Sequence, residues 1–177
     1  SHVTFHVFHP IHLLFSAIAT AAMFWRYERK FLKAVLTGLL GSLGVCSVSD
    51  IFIPYVSGFI LGTQHMEFHW CLVQHPMLVL PFAVVGVLVG MIAAETVQRS
   101  TYFSHSAHVF VSSAASIFYI VSFGMTDWAD KLGMVFVFMV LAVLLPCCFS
   151  DVIFPLLVAC KDPHVCACPT RHHHEEK

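Results

Sequence analysis

Two series of polar residues in the sequence combine histidine with serine or threonine. Their members are His9, His12, Ser16 and Thr20 in the first series and His105, His108, Ser112 and Ser116 in the second. Intervals of three and four residues place each series on one face of a helix. Imidazole is the most common side-chain ligand of transition metals, so both histidine pairs predict metal binding. We expect the hydroxyl groups to bond the backbone of their own helix.

A second repeated pattern places one aspartate in each of two long apolar segments. The two stretches read Cys46-x-x-Ser49-Asp50-x-x-x-Pro54 and Cys147-x-x-Ser150-Asp151-x-x-x-Pro155. A carboxylate inside a membrane helix costs about 2.5–3.5 kcal/mol, so it normally has a partner and a function. No lysine or arginine lies near either aspartate in its segment, which leaves histidine or a metal cation as the partner. The alternative is that each aspartate caps a helix that resumes after a break at the proline.

The composition indicates whether the protein resides in water or in a membrane. Hydrophobic residues make up 58% of the 177 residues and charged residues only 11%, and the mean hydropathy is +0.82. Soluble domains contain about 25% charged residues. Nine basic residues against ten acidic ones offer no basic face for phosphates, so nucleic acid is not an expected partner. The composition therefore predicts an integral membrane protein whose main partner is the lipid bilayer.

Five apolar segments predict an all-α fold with about five transmembrane helices. They cover residues 13–25, 34–62, 76–94, 107–126 and 132–160. The second and fifth segments are too long for one straight crossing. Each contains a proline, so we expect these two helices to be broken at Pro54 and Pro155.

Basic residues predict the orientation of the chain. Arg26, Arg29, Lys30 and Lys33 follow the first segment closely. If that loop is cytoplasmic, five crossings place eight of the nine basic residues on the cytoplasmic side and only Lys131 outside. The N-terminus is then outside and the C-terminus is cytoplasmic.

The repeated motifs predict a single polytopic domain, residues 1–177, that is built from two related units. The first unit covers residues 9–69 and the second covers 105–168, and the segment 76–94 connects them. Because one crossing separates the units, the second must run through the membrane in the opposite sense. Inverted repeats of this kind occur in many transporter folds.

Combining orientation with position along each helix predicts two metal sites, one in each leaflet. The outer site contains His9, His12, Asp50, His65 and His69, and the inner site contains His105, His108, Asp151, His164, Cys166 and Cys168. Imidazole and carboxylate suit borderline divalent ions, and thiolate favours zinc or copper. Zinc is the favoured ion, with iron, nickel, cobalt and copper as alternatives. His172 to His174 are either a native metal-binding tract or an added tag.

These features predict a protein that binds a transition-metal cation and moves it across a membrane. One alternative is a haem-binding electron carrier with axial histidines near each leaflet. A less favoured alternative is a membrane-embedded zinc hydrolase that uses Ser49 and Asp50, since an enzyme needs only one such site. Gly86 and Gly90, four residues apart, predict close helix packing, either within the subunit or in a homo-oligomer.

Overall fold

A computed structural model describes residues 2–63, 67–96, 100–123 and 129–159, and no strand occurs in these ranges. The α-helices are α1 (His2–Tyr27), α2 (Phe31–Leu39), α3 (Ile53–Ile60), α4 (Cys71–Gln74), α5 (Pro76–Thr96), α6 (Ser100–Ser122), α7 (Leu132–Cys148) and α8 (Phe154–Ala159). Three π-helical segments, Leu40–Val45, Val48–Phe52 and Phe149–Ile153, and a short 3₁₀ helix, Ala129–Lys131, complete the described elements. The predicted all-α class is confirmed for this part of the chain.

The two long apolar segments fold as continuous helices, so the breaks predicted at Pro54 and Pro155 are wrong. Helical residues extend from Phe31 to Ile60 and from Leu132 to Ala159. The irregularity takes the form of a π turn directly before each proline. A proline lacks the N–H that would bond a carbonyl one turn earlier. A widened turn accommodates this loss without ending the helix.

Within the described ranges, four helices are long and apolar enough to cross a membrane, and they indicate a membrane protein. They cover Val3–Tyr27, Phe31–Ile60, Pro76–Ala94 and Leu132–Ala159. The fifth predicted crossing corresponds to α6, which has 23 residues and is not among the four. At about 1.5 Å per residue this helix is also long enough. Its polar series lowers its hydropathy, and three of those four side chains, His108, Ser112 and Ser116, are buried.

Helix α1 lies at the centre of the described fold and packs against α2, α5, α6 and α8. Its contact with α5 includes two glycines of α5. A Cβ atom at Gly86 would lie 2.6 Å from the Leu14 carbonyl oxygen, and one at Gly90 would lie 2.5 Å from that of Ile18. Both glycines therefore allow close packing within the chain, and the face proposed for a homo-oligomer is occupied by α1.

Helix α6 runs antiparallel to α1. Phe5, near the start of α1, contacts Phe123, which follows the end of α6, with ring centroids 5.6 Å apart. Further along α1, His12 contacts His108, in the first half of α6. The two polar series thus face each other and run in opposite directions along their helices. They lie between the two helices that contain Asp50 and Asp151.

Candidate metal centres

The first histidine pair binds the aspartate of the same predicted unit. His9 Nδ1 and His12 Nδ1 lie 2.9 and 2.5 Å from Asp50 Oδ2. All three side chains are buried. Asp50 lies in a π turn, and no side-chain capping bond is present at the start of α3. Its carboxylate is therefore a partner of histidine and not a helix cap.

The second pair repeats this arrangement. His105 Nδ1 and His108 Nδ1 lie 2.8 and 2.6 Å from Asp151 Oδ2. Asp151 also lies in a π turn and is 2% exposed. His108 is fully buried, whereas His105 is partly open at the edge of the cluster. Each aspartate thus forms a triad with two histidines of another helix, as the residue types predict.

The hydroxyl groups of the two series bond across to the other unit, so the expectation that they bond their own helix is wrong. Ser16 Oγ lies 3.2 Å from Ser150 Oγ, and Thr20 donates a hydrogen bond to the Ser150 carbonyl at 3.1 Å. A carbonyl in a π turn before a proline lacks the usual backbone donor. A hydroxyl from the neighbouring helix supplies that donor here.

The second series makes the equivalent contacts to the first unit. Ser112 Oγ lies 3.0 Å from Ser49 Oγ, and Ser116 donates to the Ser49 carbonyl at 3.3 Å. Ser112 also donates to Asp50 Oδ1 at 3.2 Å. Each histidine pair therefore binds its own unit, and each hydroxyl pair binds the other.

The distances identify the histidine–aspartate contacts as hydrogen bonds. Nitrogen and oxygen ligands of a tetrahedral zinc ion, each about 2.0–2.2 Å from the metal, lie about 3.3–3.6 Å apart. The four N–O distances are 2.5–2.9 Å. Because a carboxylate only accepts, Nδ1 is the donor in each ring, and a neutral ring then has its lone pair on Nε2. His9 Nε2 and His12 Nε2 are buried without a hydrogen-bond partner among the described residues.

A third group of ligand atoms lies between the two triads. His12, Cys46 and His108 are fully or almost fully buried, and one ligand atom of each lies within 4.8 Å of the others. Cys46 Sγ is 3.9 Å from His108 Nε2. The imidazole rings of His12 and His108 are 4.5 Å apart at an angle of 33°. Cys46 belongs to the repeated motif but was not among the ligands predicted from the sequence.

A fourth group lies near the start of α1 and contains His6, His69 and His75. His6 Nε2 is 3.1 Å from His69 Nε2, and the ring centroids of His75 lie 5.1 Å from His6 and 5.6 Å from His69. Within the described chain, the predicted ligand His69 thus groups with these two residues and not with the Asp50 triad. His6 precedes His9 by three residues. This spacing could have placed His6 on the same face of α1 as His9.

Four predicted ligands, His65, His164, Cys166 and Cys168, lie outside the described residues. Cys71 is described and is the first residue of α4, the short helix before His75. Burial raises the pKa of its thiol to about 11, so without a metal this thiol keeps its proton at neutral pH. In the loop between α1 and α2, hydrogen bonds from Lys30 and Lys33 lower the pKa of the Glu28 carboxyl. These contacts connect the end of α1 to the start of α2.

Neither alternative function gains support from this geometry. A porphyrin held between His12 and His108 would need a wider separation than 4.5 Å, because both rings would have to reach the iron from opposite faces. The Ser49 hydroxyl pairs with Ser112, so its described partner is another hydroxyl and not a general base.

The fold and these clusters define a class of protein: a helical membrane protein with buried histidine, aspartate and cysteine groups that could hold a metal ion. Comparisons of the chain with protein families, with curated proteins and with solved structures found no match. The arrangement of the described residues is therefore the basis for assigning a function.

Proposed function

We propose that this protein binds a divalent transition-metal cation, with zinc favoured, and transports it across a membrane. The observation that carries the proposal is the pair of buried aspartates, each bonded to two histidines of a neighbouring helix. The two triads share ligand types, ring nitrogens and spacing. An alternating pathway needs such equivalent sites, whereas an enzyme needs only one.

The charges of the triads support cation binding. Asp50 and Asp151 are buried, and neither forms an ion pair with a lysine or arginine in the part of the chain that the structure describes. Two carboxylates in an apolar medium are costly unless positive charge is nearby. A divalent cation supplies that charge. On entering a triad it takes the place of the Nδ1 protons, which move to Nε2 of the same rings, and it widens the N–O spacing by about 0.4–1.1 Å.

The two units form an inverted repeat in this proposal, and α6 is the fifth crossing. The reciprocal hydroxyl contacts of Ser49 and Ser150 support the repeat, as does the antiparallel packing of α1 and α6. The charge bias then places the N-terminus outside and the C-terminus in the cytoplasm. The Asp50 triad lies in the outer leaflet and the Asp151 triad in the inner one.

The outer histidines are the proposed first contact for the ion. His6, His69 and His75 are partly exposed or exposed, and three imidazoles are sufficient ligands for zinc with one open position. His65 is assigned to the same outer region. On the inner side, His164, Cys166 and Cys168 are the proposed receiving ligands.

Zinc flux into liposomes that contain the purified protein tests this function. A zinc-sensitive dye inside the vesicles should report uptake that stops when Asp50→Asn removes the carboxylate charge. Asp130→Asn makes the same change at an exposed aspartate and should leave the rate unchanged. If the unaltered protein gives no zinc flux above that of empty vesicles, either into or out of them, the transport function is wrong.

A further inference from the structure

The cluster between the two triads has an orientation that suits a metal better than the triads themselves. His12 and His108 use Nδ1 for their aspartates, so Nε2 is the nitrogen of each ring that can bind a metal, and that of His108 already contacts Cys46 Sγ. Metal-binding histidines commonly donate the other ring N–H to a carboxylate, which fixes the tautomer and increases the basicity of the ligand nitrogen. Both rings of this cluster already have that arrangement.

We propose that His12 Nε2, His108 Nε2 and Cys46 Sγ form a third, central metal site at the contact between the two units. It would bind a divalent ion that accepts thiolate, such as Zn²⁺, Co²⁺ or Cd²⁺, with Asp50 and Asp151 orienting the rings from outside the first ligand shell. This site rests on the proposed metal-binding function and extends it to a residue, Cys46, that neither triad contains.

The spacing supports this assignment. The Cys46–His108 distance of 3.9 Å is close to the approximately 3.6 Å between sulfur and nitrogen ligands of one zinc ion. The triad distances are those of hydrogen bonds. The Cys46–His108 distance therefore needs to shorten only slightly for a zinc ion to bind at the centre, whereas the N–O distances of each triad must lengthen.

Burial and an unpaired nitrogen give independent support. His12 Nε2 is buried and has no hydrogen-bond partner among the described residues. A buried polar atom without a partner is destabilising, and a bound cation would supply the missing partner. The three residues come from α1, from the helix containing Asp50, and from α6, so the site exists only when the two units are packed together.

The central site also gives a route between the triads. His12 belongs to the Asp50 triad and His108 to the Asp151 triad, and both belong to the central cluster. An ion that moves from a triad to the centre exchanges Nδ1 for Nε2 on the shared ring. Binding at the centre displaces the Cys46 thiol proton to water, because thiolate is the ligand form.

Cobalt absorption provides the test, because thiolate ligands of Co²⁺ give a near-ultraviolet charge-transfer band that nitrogen and oxygen ligands lack. The full chain would be titrated with Co²⁺ after Cys160, Cys166 and Cys168 are changed to Ser and His172 to His174 to Ala. Cys46→Ser then removes only the proposed thiolate. Cys147→Ser is the matched control, since Cys147 holds the equivalent place in the second unit and is equally buried.

We expect the band in the parent chain and in Cys147→Ser, and its complete loss in Cys46→Ser while visible-range cobalt absorption remains. Zinc flux should fall at least tenfold in Cys46→Ser and stay within twofold in Cys147→Ser. Bound cobalt without the band in the parent, or a band that survives Cys46→Ser, would overturn the central site and leave the triads in place. No bound cobalt at all would overturn the proposed function together with the central site.

Discussion

The imidazole rings of His12 and His108 face each other with their centroids 4.5 Å apart, at the point where α1 and α6 contact. Each ring is also bonded to the aspartate of its own unit. The two triads are thus connected through one ring pair. Any change that moves one ring should therefore alter the geometry of both triads.

The proposed topology predicts the accessibility of three exposed positions. Glu67→Cys and Asp130→Cys should react with an impermeant thiol reagent from outside, and Lys30→Cys only from inside. Lys131 donates a hydrogen bond to the Leu61 carbonyl, which places the loops that contain Glu67 and Asp130 on the same side. Labelling of right-side-out vesicles measures this, in a chain whose other exposed cysteines are replaced by serine. Reaction of all three positions from one side would contradict the inverted repeat.

The two triads are expected to act in series during transport. His9 and His105 each belong to one triad and not to the central cluster. His9→Gln and His105→Gln should therefore each reduce zinc flux at least tenfold while the central site still binds Co²⁺. Combining them should reduce flux little further, because steps in series fail together.

Ser113→Ala is the control for these flux measurements. Its hydroxyl bonds the Val109 carbonyl of its own helix, so its removal should leave transport unchanged. Normal flux in either histidine variant would show that the corresponding triad is not on the path.

The hydrogen bonds between the units should contribute measurably to stability. Thr20→Val and Ser116→Ala each remove a donor to a π-turn carbonyl. Hydrogen bonds between membrane helices contribute about 0.6–1.7 kcal/mol, so both variants should lower the unfolding temperature in detergent, and by similar amounts. A clear loss in one variant with none in the other would argue against equivalent roles.

The packing of α5 on α1 predicts intolerance of even a methyl group. Gly90→Ala places a Cβ 2.5 Å from the Ile18 carbonyl oxygen, and overpacking of this kind typically costs about 1–3 kcal/mol. Gly133→Ala meets nothing within 4 Å and is the control. Thermal unfolding should show a lower midpoint for Gly90→Ala alone; equal midpoints would contradict the close contact.

The sequence contained enough information to predict the helices and both triads. Intervals of three and four put each histidine pair on one helix face, and an aspartate without a basic neighbour requires a partner. The π turns were not predictable in this way, because apolar periodicity does not distinguish a widened turn from a break when a proline follows. The expected breaks at Pro54 and Pro155 were wrong for that reason.

Contacts between segments that are distant in sequence could not be predicted either. The spacing of Ser16 and Ser112 identifies the helix face but not the helix opposite. Whether a hydroxyl bonds its own backbone or crosses to Ser150 or Ser49 depends on how the units pack. Cys46 was visible as a repeated residue, but only the approach of α1 to α6 brings it near two imidazoles.

The central claim is that buried carboxylate–histidine groups hold a transition metal. The most direct measurement is the zinc content per chain, by elemental analysis after equilibration with Zn²⁺ and dialysis, with Cys160, Cys166, Cys168 and His172 to His174 substituted as in the cobalt experiment. The unaltered core should retain at least about one ion per chain, and the double variant Asp50→Asn/Asp151→Asn should retain close to none, since loss of such carboxylate partners weakens binding about 10–100-fold at each site. Equal zinc content in the two proteins would contradict the account.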